Sequence, residues 1–199
     1  MRTAIFFATR EGQARRVAEH IADTLRDRGV TADLFDVRDR RVAIDWTAYE
    51  TAFVVASVHL GQHEREMIRF VRAYRPELKR LGAAFVSLSL SQAGAEDERH
   101  SAEDRRRASA DVERMIDAFV AETGWQPAYV LPVAGAIAYR RYNLLVRFVM
   151  KRIARANGAP TDTSRNFELT NWAAVDRFVD AVKPPSTTRP TGSADRRTA

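Results

Sequence analysis

The sequence predicts an α/β fold in which one open, parallel β-sheet carries helices on both faces. Five strand patterns alternate with helix patterns along the 199-residue chain, which is the order that crossover helices between parallel strands require. The third strand pattern, TAFVVAS at 51–57, is apolar nearly throughout, as is typical of a strand that is covered on both faces. The chain is long enough for one domain with a full hydrophobic core.

The first half of the chain contains two further strand patterns and two helix patterns. TAIFFA at 3–8 predicts a buried strand, and the helix after it carries its apolar residues on one face and ends at Gly29. ADLFDV at 32–37 predicts the second strand. A helix is expected near 63–75, after the third strand, and Pro76 is expected to end it.

The second half adds two strands and two helices to this series. AAFVSLSL at 83–90 predicts the fourth strand, and AYVLPVAGAI at 128–137 predicts the fifth, in which Pro132 is tolerable near an edge of the sheet. Helices are expected over about 103–122 and 171–182. Such sheets bind ligands beyond the carboxyl ends of their strands. The three loops expected to meet there are 9–14, 58–63 and 91–101.

A segment of unusual length separates the fifth strand from the last helix. It spans 138–170, where a short connection is the norm, and it shows a helical pattern. No acidic residue occurs from Thr123 to Thr161, although the chain as a whole carries a formal charge of +6. The basic residues between Thr123 and Thr161 are Arg140, Arg141, Arg147, Lys151, Arg152 and Arg155. Such a surplus favours nucleic acid, anionic lipid or an acidic small molecule, and a surface helix with solvated arginines is the alternative.

The loop TREGQA, which follows the first strand, has the composition of an anion site. The first N–H groups of a helix lack partners and carry positive partial charge. Thr9 can donate its hydroxyl, Arg10 can neutralise charge, and the N–H groups of Gly12, Gln13 and Ala14 can point inward. The loop lacks the Gly-Lys-Ser/Thr of a P-loop and the glycines of a dinucleotide fingerprint. It therefore suits a terminal phosphate monoester, and an N-capping turn without a ligand is the alternative.

Cysteine and histidine content limits the chemistry of the chain. There is no cysteine, which excludes disulfides, iron–sulfur clusters and thiolate zinc sites and suits a reducing cytoplasm. His59 and His63 have a metal-ligand spacing, but they straddle Gly61 and have no third ligand in the sequence, so no metal site is expected. His20 is expected to be an exposed helix residue. No signal peptide or membrane-spanning segment is recognisable, and we expect a cytoplasmic protein.

Three stretches of the sequence resemble one known family. They are ATREGQ in the first loop, GWQPAYVLPVAGAIAYRRYN around the fifth strand and GAPTDTSRNFELTNW before the last helix. With them the chain resembles the flavodoxin-like family from Thr3 to about Val182, and within it the menaquinone-dependent protoporphyrinogen IX dehydrogenases of haem biosynthesis. The resemblance implies strand order 2-1-3-4-5 with a helical insertion after strand five. It also implies an FMN-dependent oxidoreductase that passes electrons from a porphyrinogen to menaquinone or another quinone.

The resemblance implies that FMN places its phosphate in 9–14 and its isoalloxazine ring between the second and third loops. The cofactor-binding residues expected on this basis are Thr9, Arg10, Glu11, Gly12, Gln13 and Ala14 in the first loop, Ser57, Val58, His59, Leu60 and Gly61 in the second, and Ser89, Leu90, Ser91 and Gln92 in the third. Two departures from the family pattern stand out. Ala14 replaces a usual hydroxyl residue, and neither ring-binding loop contains an aromatic residue, so that His59 or His63 could stack on the ring or Leu60 could pack against it.

The same resemblance gives the insertion a role. Arg140 and Arg141 are expected to pair with the propionates of the porphyrinogen, because arginine binds carboxylates with two hydrogen bonds. An anionic membrane surface is expected to be contacted through Arg147, Lys151, Arg152 and Arg155, which places the protein peripherally on the inner face of the cell membrane. No nucleic acid partner is expected, and no residue of the sequence indicates a catalytic acid or base.

The sequence predicts one domain followed by a tail, and it leaves two alternative functions open. Residues 1–183 are expected to form one domain with the basic insertion at about 138–166, followed by a disordered tail over 184–199. A flavodoxin-type electron carrier without its own substrate is one alternative, although such carriers are acidic and the pI here is about 10.1. A non-enzymatic module that binds a membrane or nucleic acid is another.

Overall fold

The computed structural model describes residues 1–39, 43–137 and 162–183. Its strands are β1 (Arg2–Ala8), β2 (Thr31–Asp36), β3 (Thr51–His59), β4 (Gln62–His63), β5 (Ala84–Ser89), β6 (Tyr129–Ala134), β7 (Ala136–Ile137) and β8 (Phe167–Glu168). Its helices are α1 (Gln13–Asp27), α2 (Arg65–Ala73), α3 (Arg75–Arg80), α4 (Leu90–Glu96), α5 (Ala102–Thr123) and α6 (Trp172–Ala181), with a short 3₁₀ turn at Trp46–Ala48. The predicted alternation of strands and helices is confirmed.

The main sheet has the order β2-β1-β3-β5-β6, and every neighbouring pair in that order is parallel. Counted over the five predicted strands, this is the expected order 2-1-3-4-5. Strand β6 lies at the edge, where Pro132 can lack its N–H without breaking a ladder on both sides. The carboxyl ends of β1, β3 and β5 meet at one edge of the sheet, so the three expected loops do lie together.

Alternating side chains along the strands build two hydrophobic layers. Ile5 and Phe7 of β1 face the layer that contains α1 and α6, whereas Ala4 and Phe6 face the layer that contains α2, α3 and α5. All four are buried, as are the apolar faces of α1 and α2. Helices therefore cover both faces of the sheet.

The connection between β3 and α2 is a hairpin, which the sequence prediction of a plain loop did not anticipate. Strand β4 pairs antiparallel with β3, with Val58 opposite His63. The predicted helix 63–75 is also divided. It begins at Arg65 and ends at Ala73, and Pro76 lies in the first turn of α3, because proline fits the start of a helix where no N–H partner is needed.

The third expected loop, 91–101, is largely helical. Helix α4 occupies its first half, and Ser89 caps this helix by accepting a hydrogen bond from the N–H of Gln92 at 3.2 Å. Only Gly94 of α4 is buried, so the helix has no apolar stripe that a search for periodicity would detect.

The predicted fifth strand, 128–137, is two strands. Strand β6 ends at Ala134, and after Gly135 the chain leaves the main sheet as β7, which pairs antiparallel with β8. The β7–β8 ribbon (Ala136–Ile137 with Phe167–Glu168) closes the base of the predicted insertion. The predicted helix, with Arg140, Arg141, Arg147, Lys151, Arg152 and Arg155, and the predicted disordered tail lie outside the described residues.

The expectation that His20 is exposed is wrong. Its ring is half-buried between α1 and α6, where Nε2 lies 2.7 Å from Asp176 Oδ1 and the ring centroid lies 4.7 Å from that of Trp172. Asp176 is held by this contact although it lies far away in the sequence.

Within the described ranges, no helix has the length and apolar character needed to cross a membrane.

Candidate functional site

The loop between β1 and α1 is built around Thr9. This side chain is buried, and its Oγ1 accepts a hydrogen bond from the N–H of Gly12 at 2.8 Å. Gly12 has φ of 96°, a left-handed conformation that glycine adopts without strain, and it turns the chain into α1. Because the oxygen of Thr9 accepts here, its hydroxyl hydrogen can still be donated to a bound anion.

The first turn of α1 adds further donors to the same place. The N–H groups of Gln13 and Ala14 have no carbonyl partner within the helix. No acidic residue of α1 lies in this turn, so the helix does not neutralise the positive end of its own dipole. Ala14 is completely buried and provides no hydroxyl. The Thr9 hydroxyl and these two N–H groups form what we call the anion cradle, and its chemistry fits a phosphate group.

The side chain of Gln13 is not available to a ligand. Its Nε2 donates to Glu168 Oε1 and to Thr170 Oγ1, both at 2.8 Å, and Thr170 Oγ1 donates to the carbonyl of Ala134 at 2.9 Å. Arg16 donates to the other carboxylate oxygen of Glu168. This Gln13 network, made of Gln13, Arg16, Glu168 and Thr170, joins the cradle helix to the β7–β8 ribbon. Sequence reasoning missed Glu168 and Thr170, because nothing near them in the sequence indicates their distant partner.

The second loop is a tight turn with an apolar tip. Leu60 and Gly61 have φ of 50° and 79°, the left-handed pair that a two-residue hairpin requires. Leu60 is 88% exposed, whereas Ser57, Val58 and His59 are half-buried. The hairpin therefore presents one large apolar side chain to solvent at the edge of the sheet, next to the partly accessible ring of His59.

His63 lies beneath this hairpin and cannot contact a ligand in the way that His59 can. It is 4% exposed, its Nε2 is 2.9 Å from Ser87 Oγ, and it packs against the rings of Phe85 and Phe119. Burial lowers the pKa of His63 to about 4, so the imidazole is neutral at pH 7. The expectation that His63 could stack on a flavin ring is therefore wrong, and His59 and Leu60 remain.

Arg10 links the first loop to the start of α2. Its Nε lies 4.0 Å from Glu64 Oε2, and its Nη2 lies 3.9 Å from Glu66 Oε2. The Glu64 side chain is fully buried, and its Oε1 lies 3.2 Å from His59 Nε2. The positive charge of Arg10 is thus already shared by two carboxylates, and the histidine of the second loop is held by one of them.

The third loop joins the site through Ser89. Besides capping α4, Ser89 accepts a hydrogen bond at its carbonyl from the N–H of Gly135 at 3.1 Å. Leu90, Ser91 and Gln92 are half-buried in the first turn of α4. Further along, the side chain and N–H of Arg99 donate to Asp97 and hold the pKa of that carboxyl well below its usual range.

The residues expected to bind the cofactor lie close together in the structure. The residues expected to bind the substrate are not among the described residues. All three groups of cofactor residues lie at the carboxyl edge of the main sheet, whereas Arg140 and Arg141 lie outside the described residues. In ranges 1–39, 43–137 and 162–183, no three histidine, aspartate or glutamate side chains are close enough together to hold a metal ion.

Comparison with known proteins assigns the fold to a family. The flavodoxin domain matches residues 4–164. Protoporphyrinogen IX dehydrogenase (quinone) of Escherichia coli strain K12 is 29% identical over 182 residues, which cover 92% of this chain and 94% of that protein. The protein of the same name from Leishmania major is 28% identical over 175 residues, which cover 87% of this chain and 71% of that protein.

Among solved structures, a flavodoxin from the domain Archaea is 14% identical with a TM-score of 0.44, and the match covers 66% of this chain and 83% of that one. The family match itself covers more than half of the chain, and it includes the first, second and third loops of the site. FMN is the cofactor that this match implies, and the anion cradle suits its phosphate. The chain belongs to the flavodoxin domain family.

Proposed function

We propose that this protein is an FMN-dependent oxidoreductase that dehydrogenates protoporphyrinogen IX and passes the electrons to a quinone. The observation that carries this proposal is the extent of the similarity to the Escherichia coli enzyme, which covers 92% of this chain and so includes the insertion as well as the FMN domain. The basic pI of about 10.1 supports an anionic substrate and argues against an acidic electron carrier.

The proposed FMN site consists of the three loops at the carboxyl edge. The anion cradle would hold the phosphate, with Arg10 adding charge from the loop. The ring would lie between the hairpin and the start of α4, where Leu60 offers exposed apolar surface. The residues assigned to the ring are Ser57, Val58, His59, Leu60, Gly61, Ser89, Leu90, Ser91 and Gln92. FMN supplies the hydride acceptor, and the protein positions it and controls its electronic properties.

The phosphate assignment can be tested by comparing FMN with riboflavin, which lacks the phosphate. Thr9→Ala removes a hydrogen bond to a charged group, worth about 1.5–3 kcal/mol, so FMN should bind roughly 10- to 150-fold more weakly while riboflavin affinity changes little. Thr24→Ala is the matched control, because Thr24 lies on the same helix but bonds to Asp176. Equal losses for both flavins would mean that the loop is structural.

The enzymatic proposal has a direct assay. The FMN-loaded protein, mixed with protoporphyrinogen IX under anaerobic conditions, should lose its yellow colour as porphyrin fluorescence appears, and a soluble menaquinone analogue should restore the colour. If only a reductase bleaches the flavin and the porphyrinogen does not, the protein is an electron carrier. If no flavin is retained, the non-enzymatic module is favoured.

The insertion is proposed to serve both the substrate and the membrane. Arg140 and Arg141 would pair with the substrate carboxylates, and the absence of acidic residues from Thr123 to Thr161 supports attraction to anionic lipid. At about 1 kcal/mol for each charge near the surface, four cations would supply several kcal/mol. The four residues assigned to the membrane are Arg147, Lys151, Arg152 and Arg155.

Co-sedimentation with vesicles tests the membrane assignment. Binding should need anionic lipid, should decline in high salt because the Debye length contracts to about 3 Å at 1 M, and should decrease when the four cations are changed to glutamine. A protein that ignores anionic vesicles at low salt would contradict the peripheral location.

A further inference from the structure

Glu64 is a buried carboxylate whose position needs an explanation. Its side chain has no solvent exposure, although burying a carboxylate is costly unless it is fully paired. It occupies the N-cap position of α2 but does not cap the helix with its side chain. Instead, Oε1 turns toward His59 Nε2, and among the described residues Oε2 has no hydrogen-bond partner. The carboxylate is therefore directed at the histidine of the second loop.

This contact determines which nitrogen of His59 carries a proton. A carboxylate beside Nε2 favours a proton on Nε2, so that Nδ1 keeps a lone pair that can accept a proton. No described residue forms a hydrogen bond with Nδ1, and the side chain is 29% exposed. Among the described residues, the charged group that contacts the pair is Arg10 of the first loop, whose Nε lies 4.0 Å from Glu64 Oε2 and whose Nη2 lies 3.9 Å from Glu66 Oε2. The arrangement is a base held in place by a buried carboxylate.

We propose that His59 accepts the proton released when the porphyrinogen is oxidised and that Glu64 is its positioning residue. This inference rests on the proposed function. Three dehydrogenations convert the porphyrinogen to the porphyrin, and each removes a hydride from a bridging carbon together with one proton and leaves one new double bond. The proton comes from a pyrrole nitrogen in two of the three steps and, in net terms, from the remaining bridging carbon in the third. Bound FMN would supply the acceptor for the hydride, and the quinone would be the final acceptor of the electrons. Nδ1 of His59 takes the proton and passes it to solvent.

Other ionisable groups near the site suit this role less well. His63 is buried against Phe85 and Phe119, and its Nε2 contacts Ser87 Oγ. Asp97 is held in its charged form by hydrogen bonds from Arg99, which makes it a weak base. His59 combines access, a fixed orientation and a position in the loop that is assigned to the flavin ring.

The test separates the two halves of the reaction by rapid mixing of the FMN-loaded protein. In His59→Gln, bleaching of the flavin by protoporphyrinogen should slow about 100-fold or more, since a general base contributes roughly 10²- to 10⁴-fold. Recolouring by the quinone analogue should stay within about twofold, because that step does not need the base. Glu64→Gln should slow bleaching about tenfold. Imidazole in the buffer should partly restore bleaching in His59→Ala.

A matched control and a readout other than activity complete the experiment. His20 and Asp176 form a second histidine–carboxylate pair, on α1 and α6, and His20→Gln should leave both half-reactions unchanged. Nitrogen NMR of the histidine-labelled holoprotein should show the proton of His59 on Nε2 in the unmodified protein and a mixture of tautomers in Glu64→Gln. A merely structural Glu64 would lower the melting temperature without changing this signature.

The outcomes distinguish this inference from the function on which it rests. If the unmodified protein is bleached normally and His59→Gln is bleached within twofold of it, the inference is wrong and the proposed function stands. Equal slowing of both half-reactions would also overturn it. If protoporphyrinogen does not bleach the unmodified protein, the proposed function itself fails. Should His59→Gln not retain FMN, Glu64→Gln decides the question, because it leaves His59 in place.

Discussion

The buried imidazole of His63 should make the stability of this protein depend on pH in a way that can be assigned to one side chain. Burial among Phe85 and Phe119 lowers its pKa from the usual 6.5 to about 4. The folded protein thus disfavours the protonated ring, whereas the unfolded chain accepts it freely. The stabilising contribution is fully present above pH 6.5 and is lost as the pH falls from 6.5 to 4.

The size of the effect follows from the same two values. One pKa unit corresponds to about 1.36 kcal/mol, so the full window is worth about 3 kcal/mol, of which about 2 kcal/mol is lost between pH 7.5 and pH 5. Urea unfolding at these two pH values measures it. The free energy of unfolding of the unmodified protein should fall by about 2 kcal/mol more than that of His63→Gln, which cannot titrate at this position.

Ser87→Ala is the matched control for this measurement. It removes the hydrogen-bond partner of His63 but leaves the imidazole buried, so its dependence on pH should match that of the unmodified protein. An identical pH dependence in His63→Gln and the unmodified protein would refute the reasoning, because the loss would then arise from other groups.

Three further predictions concern the Gln13 network and the hairpin. Gln13→Leu should lower the free energy of unfolding by about 1–3 kcal/mol, because Glu168 and Thr170 lose a buried donor, and a loss below 0.5 kcal/mol would show that water replaces it. Leu60→Asn should raise the free energy of unfolding by up to about 1 kcal/mol, since asparagine tolerates the left-handed conformation better than leucine. Gly61→Ala should lower it by about 1 kcal/mol, and a thermal melt that moves the opposite way for either variant would contradict the assigned turn.

The sheet was predictable because its signal is local. The strands around Phe6, Phe53 and Phe85 are buried on both faces, so their apolar character is visible within a few residues of sequence. The anion cradle was predictable for a similar reason, since Thr9 and Gly12 are close in sequence and form the turn by themselves.

Contacts between distant residues explain most of what the sequence did not show. Gln13 and Glu168, like His20 and Asp176, are far apart along the chain, and no pattern around either member indicates its partner. For this reason His20 was predicted to be exposed, and the partners of Gln13 in the first turn of α1 were not predicted. Such pairs become visible only when α6 and β8 are packed against α1.

Two local features, helix α4 and the hairpin turn, were not predicted from the sequence, for different physical reasons. Helix α4 has a visible signal, because Ser89 followed by Gln92 three residues later is a capping-box sequence, but the helix is too short to show an apolar stripe. The hairpin turn has little signal, because leucine at position 60 is a poor residue for the left-handed conformation that it adopts. Its strain is located at the loop that is assigned to the flavin ring.

The β7–β8 ribbon has a consequence for how this domain can vary. By holding Ile137 opposite Phe167, the ribbon fixes both ends of the segment between them at one point on the surface. The entropy of closing a chain grows only with the logarithm of its length, so each doubling of the segment costs about 0.6 kcal/mol. The domain can therefore carry segments of very different length and composition between these two residues. Changes in this segment can alter what the domain binds while the sheet and the anion cradle keep their stability.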